Sequence, residues 1–119
     1  MAKIEINGVA VDFNLGDADN MERYENALEK MRNADAKIAQ INKMSEKIRA
    51  YCDIFSGLFK DIFDSETAEK ILNGVPTNII AYEKLYTEFL EGIKAQTTEI
   101  MESRAKIISK YTPKQIKKW

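Results

Sequence analysis

YCDIFSGLFKDIF, residues 51–63, sets the fold class of this chain. Its apolar residues Tyr51, Cys52, Ile54, Phe55, Leu58, Phe59, Ile62 and Phe63 recur at helical spacing and wrap more than one side of the helix. A helix that must be covered from several directions belongs at the centre of a core. The stretches on either side should therefore supply elements with one apolar face each.

Upstream, the pattern is helical but thinner. Met21, Tyr24, Leu28 and Met31 recur at three-four spacing, and Ala34, Ile38, Ile41 and Met44 continue it before Ile48, Tyr51, Phe55, Leu58 and Ile62. Residues 17–63 therefore read as one long helix or a broken one, with a break expected near Asn42 to Ser45. Asp17 or Asp19 is placed to cap its start by accepting bonds from free backbone N–H groups.

Downstream, Asp64 and Ser65 are both good N-caps for a short helix over 65–73, which Gly74 ends as a left-handed residue. Val75-Pro76 forces an extended turn, and Thr77 is expected to cap a last helix over 78–110. The stripe of that helix runs through Ile79, Tyr82, Tyr86, Phe89, Ile93, Ile100, Ile107 and Tyr111, with Thr97 in its middle. Thr112-Pro113 stops it, leaving a basic tail over 112–119.

Residues 1–14 are different. Ile4, Ile6, Val9, Val11 and Phe13 alternate with polar or small residues around Asn7-Gly8, the dipeptide that best fits a two-residue I′ turn. That turn sets Ile6 opposite Val9, Ile4 opposite Val11 and Lys3 opposite Asp12. The chain should therefore be mainly α, one domain over 1–119, with an N-terminal β-hairpin followed by about four helices, two of them long and antiparallel. A lone hairpin is marginal in water, so its apolar face must cover helices or meet another chain.

Composition limits what such a domain can do. The chain has 119 residues, 45% of them hydrophobic and 31% charged, and net charge −1. Histidine is absent, which removes the usual general base and the commonest metal ligand. No phosphate-cradling glycine loop, C-x-x-C or H-E-x-x-H occurs. No cofactor or metal is expected, and an enzyme is not. Glu83, Glu88 and Glu91, or Glu99 and Glu102, read as solvated helix faces rather than paired acids. The single Cys52 lies in the apolar run, where a thiol is buried and inert, and one cysteine allows no internal disulfide. No stretch is apolar enough for a membrane span and the start lacks a signal-peptide h-region, so a cytoplasmic protein is expected.

Charge is uneven. From Ser103 onward the chain carries Arg104, Lys106, Lys110, Lys114, Lys117 and Lys118 with no acid, whereas the first 102 residues are net acidic. Cations at a helix C-terminus meet the negative end of its dipole, and the same residues offer a contact to an acidic protein or to nucleic acid. The acidic remainder of the chain argues against a dedicated nucleic-acid domain. The residues singled out for a partner are Ile4, Ile6, Val9, Val11 and Phe13 on the hairpin and Lys114, Lys117, Lys118 and Trp119 in the tail.

Four segments in order, IEINGVAVDFN (4–14), DADNMERYENALEKM (17–31), FSGLFKDIFDSETAEKILNG (55–74) and TNI (77–79) before a long final helix, carry a resemblance. The chain resembles small tail assembly chaperone-type proteins of tailed phages and prophages of Gram-positive bacteria. The resemblance implies a non-structural cytoplasmic factor that binds the tape-measure protein, a long helical chain, and helps recruit tail-tube subunits. It carries over no catalytic residue. The alternative is a small helical regulatory protein, antitoxin-like or acting in host takeover, whose basic tail contacts protein or nucleic acid. The hairpin itself leads to the expectation of a homo-oligomer, built by two hairpins meeting edge to edge so that their outer N–H and C=O groups are satisfied.

Overall fold

Asn7 and Gly8 adopt φ of 52° and 74°, the left-handed pair that a I′ turn requires, and the two strands close around them. A computed structural model of the chain describes residues 3–111. Strands β1 (Lys3–Ile6) and β2 (Val9–Asp12) pair antiparallel with Lys3 opposite Asp12, Ile4 opposite Val11 and Ile6 opposite Val9. This is the register that the alternation predicts. Lys3, Glu5, Ala10 and Asp12 face outward, while Ile4, Ile6 and Val11 are buried.

Four helices follow: α1 (Ala18–Ile38), α2 (Met44–Ile62), α3 (Ser65–Leu72) and α4 (Ile79–Tyr111). The stretch 17–63 is therefore broken. Asp17 is the N-cap of α1 and accepts a bond from the Asp19 amide at 3.1 Å. The break falls at 39–43, a little before the expected position, and α2 begins after Lys43 with no side-chain cap, so Met44 and Ser45 already lie in its first turn. Asp64 caps α3 through the Thr67 amide at 2.7 Å. Gly74 has φ +75° and follows Asn73 at φ −59° and ψ 124°, so the left-handed glycine ends the helix as the third residue of a type II turn closed by the Val75 amide on the Leu72 carbonyl at 3.1 Å. The cap of α4 is Asn78, not Thr77: its side-chain oxygen accepts from Ile80 at 2.9 Å and Ala81 at 3.2 Å.

Helix α1 runs antiparallel to α2, as Lys30 meeting Asp61 at 3.2 Å and Asp35 meeting Tyr51 at 2.9 Å require. Helix α2 runs parallel to α4: Phe55 meets Tyr86 with ring centroids 5.1 Å apart, and one turn on Phe59 meets Phe89 at 6.1 Å. The antiparallel relation of two long helices is thus that of α1 to α4, which meet through Tyr24 and Phe89 with ring centroids 5.9 Å apart, while α2 packs against both.

The core centres on Phe59 and Phe89, both without solvent exposure. Phe59 and Phe63 meet Phe89 edge to face, at 86° and 89°, and Phe13 meets Phe63 at 79°. Each such pair adds roughly 0.5–1.5 kcal/mol beyond the area it buries. The segment 51–63 is covered as its sequence requires, by α1 on one side, α4 on another and the hairpin strand end at Phe13.

Candidate functional site

The hairpin is held on α4 by three devices. Gly92 leaves bare backbone where β1 crosses the helix, so Ile4 lies against it. Gln96, the buried polar residue of α4 at 5% exposure, accepts from the Leu15 amide at 2.8 Å and donates to the Phe13 carbonyl at 2.7 Å. At the turn, the Asn7 amide donates to Glu88 Oε1 at 2.9 Å and the Asn7 side chain donates to the Ile71 carbonyl at 2.7 Å. A buried amide that satisfies both a donor and an acceptor fixes the strand exit in one position.

These contacts decide what the expected partner residues do. Ile4, Ile6, Val11 and Phe13 are buried in the molecule's own core and Val9 is half-buried. Their side chains are spent on α3, on α4 and, for Phe13, on Phe63 at the end of α2, as internal packing, and what the hairpin offers outward is its strand edges and its charged face. Lys114, Lys117, Lys118 and Trp119 lie outside the described residues.

The exposed apolar surface is elsewhere. The hairpin and α2 cover α4 as far as Gln96, and residues 97–110 are exposed throughout. On this projecting half, Ile100, Met101, Ile107 and Ile108 are between 38% and 66% exposed. With Thr97 and Arg104 they form one stripe at three-four spacing along two and more turns. Arg104 lies within the stripe, and Lys106 and Lys110 lie off it on the same half of the helix. The molecule is correspondingly long, 61 Å by 31 Å by 22 Å. Ile100 and Ile107 were visible in the sequence as a continuation of the core stripe; that the body ends before them depends on where the hairpin lands, which local spacing does not encode. Met101 and Ile108, the second row of the stripe, were missed because they fall off the strict core spacing.

Chemistry is sparse among the described residues. No group of three or more potential metal ligands comes together, and no helix is long and apolar enough to cross a membrane. Burial pushes the Cys52 thiol up, with the Asp53 charge adding to it, which suppresses the reactive thiolate. The Tyr51 hydroxyl is pushed up first by its bond to Asp35, and this contact ties α1 to α2. Shallow grooves run along α1, two of them shared with α2. One, about 240 Å³, lies over Ala27, Ala34 and Gly57, and the other, about 360 Å³, is lined by Leu28, Met31, Ile54 and Tyr86. Neither gathers acid, base and nucleophile, so the surface suited to recognition is the α4 stripe.

No curated protein and no solved structure matches the chain. A protein-family model does match, over residues 7–118, which takes in the hairpin turn, all four helices and the basic end. By that match the chain belongs to DUF6673, a family of unknown function.

Proposed function

We propose that this protein is a non-enzymatic, cytoplasmic protein-binding factor that holds an amphipathic helix of a partner against the projecting half of α4. The observation that carries the reading is the exposed row Ile100, Met101, Ile107 and Ile108, which the chain's own core does not use. Monomeric proteins rarely leave a contiguous apolar row on a projecting helix, and helix-on-helix recognition uses this i, i+3, i+4, i+7 set of anchors. The four quoted segments favour a specific form of this role, the tail assembly chaperone. The partner would then be the tape-measure protein, whose apolar helical stripes need cover until tail-tube subunits replace it.

Co-expression with a tape-measure protein encoded nearby tests the reading. The expected result is a higher soluble yield of that protein and its co-purification with the wild-type chain. The variant Ile100→Asp/Ile107→Asp should lose both. Unchanged yield and no co-purification would sink the proposal.

A further inference from the structure

We infer that the outer edge of β2 is a second recognition surface, which takes an extended acidic segment of a partner protein as a third strand. In a two-residue hairpin the residues flanking the turn exchange both ladder bonds, and bonded and non-bonded pairs alternate from there. Ile6–Val9 and Ile4–Val11 are therefore the bonded pairs, and Ala10 and Asp12 aim their N–H and C=O groups away from β1. Both residues are exposed, and no other described residue bonds these groups. Two donors and two acceptors in a row are what an extended segment needs to add itself to a sheet.

The edge borders a groove. Phe13 meets Phe63 at one end of β2 and the Asn7 side chain bonds the Ile71 carbonyl at the other, so α3 runs antiparallel alongside the strand. Between them lies a space of about 320 Å³, lined by Ile62 and Phe63, by Thr67 and Lys70 of α3, and by Asn20 and Arg23 of α1. A strand laid on β2 turns every second side chain into this space, namely those opposite Val9, Val11 and Phe13.

Charge names the occupant. Lys70 lies at the turn end of the groove, next to Ile71. Arg23 lies at the other end, one turn after Asn20, whose side chain bonds the Asn14 carbonyl at 3.0 Å. Two acids also border the groove, but Asp64 accepts from the Thr67 amide at 2.7 Å as the cap of α3, and Asp12 sits on the outward face opposite Lys3. Arg23 has no ion pair among the described residues, and Lys70 has the exposed Glu66 at 3.5 Å, a kind of pair worth little in water. The row that fits is a carboxylate opposite Phe13 for Arg23, an apolar residue opposite Val11, and a carboxylate opposite Val9 for Lys70. A second copy does not supply it: the inward residues of its strands are Ile4, Ile6, Val9, Val11 and Phe13, all uncharged and packed in its own core. This surface is separate from residues 97–110 and its occupant is extended rather than helical, so the inference stands apart from the proposed function.

The probe that tests it is the end-blocked, dye-labelled peptide Thr-Glu-Thr-Val-Thr-Glu-Thr, added to the full chain at low salt and followed by fluorescence anisotropy and amide NMR spectra. Saturable binding is expected, with the Ala10 and Asp12 amides shifted and protected from exchange. Methylating the backbone nitrogens of the third and fifth peptide residues, which face Asp12 and Ala10, should abolish binding without altering the protein. Replacing both peptide glutamates by lysine should weaken binding at least ~tenfold, since two charge-assisted contacts are lost, and Arg23→Glu/Lys70→Glu should reverse that preference. Ile100→Asp/Ile107→Asp should bind the peptide as the wild type does. No binding, equal binding of the methylated or the lysine peptide, or loss of binding in the α4 variant would each overturn the inference. A dimer of the free protein that already protects Ala10 and Asp12 would overturn it too, by giving the edge to a second copy.

Discussion

Ile4 and Gly92 touch where no side chain fits between them: a Cβ added at Gly92 would lie 2.5 Å from Ile4 Cγ2 and 2.9 Å from its Cγ1. Gly92 sits inside a helix, where glycine ordinarily costs roughly 1 kcal/mol relative to alanine. The close approach of β1 outweighs that cost. Gly92→Ala should therefore destabilise the protein by about 1–3 kcal/mol, since a packed strand has to shift. Gly57, also helical, has nothing within 4 Å of a built Cβ, so Gly57→Ala should stabilise by roughly 0.5–1 kcal/mol. Urea unfolding of both variants checks the opposite signs, and Ile4→Ala should relieve part of the Gly92→Ala loss.

Gln96 gives a second test. Gln96→Leu keeps the volume but strands the Leu15 amide and the Phe13 carbonyl, at a cost of about 2–4 kcal/mol. Gln96→Glu should behave differently with pH. The ionised carboxylate accepts from Leu15 but repels the Phe13 carbonyl, whereas the protonated acid donates to it. Folding then favours the protonated form and raises the carboxyl's pKa, so the variant's stability should recover as pH falls and be lost as pH rises through the folded value. Equal deficits near neutral and mildly acidic pH would refute this role.

How much of this was legible follows from the range of each interaction. The Asn7-Gly8 turn, the strand register, the Asp64 cap and the Gly74 stop are local, and a window of a few residues contains all their causes. Asn78 took the cap from Thr77 because an Asx side chain one position later reaches both the Ile80 and Ala81 amides. Gln96 and Gly92 were not legible, because their partners lie more than eighty residues away and periodicity gives a face without saying what meets it. A signal existed: Gln96 is a polar residue three positions after Ile93 and four before Ile100, on the apolar stripe itself. Thr97, read as mid-stripe, is exposed and bonds its own helix at the Ile93 carbonyl.

Phe59, without exposure, stacked on Phe63 and edge-on to Phe89, is the largest test of the core. Phe59→Ala should cost about 3–5 kcal/mol, a large part of the ~5–15 kcal/mol that holds a domain together. A midpoint shift in urea equivalent to less than ~1 kcal/mol would show that the site collapses around the deletion.

Asp64 predicts an acid-side effect. Its bonds from Thr67 hold the carboxyl below its ordinary 3.8. A lowered folded pKa stabilises above the unfolded value, so the contribution is complete at neutral pH, declines as pH drops through 3.8 and is gone below the folded pKa. Wild type should lose more stability than Asp64→Asn over that acid range, measured as thermal midpoints in a pH series. Parallel curves would show that the cap is not titrating.

The bonds from Gln96 to Phe13 and Leu15 span 83 and 81 residues. On a ribosome adding ~5–20 residues per second, the first strands therefore wait several seconds for the helix they rest on. Nascent chains halted before Gly92 would leave Ile4 without the helix backbone it rests on, so the order of synthesis makes the earliest residues among the last to be sheltered. Swapping the hairpin to the far end of the gene would shorten that wait without changing a single contact.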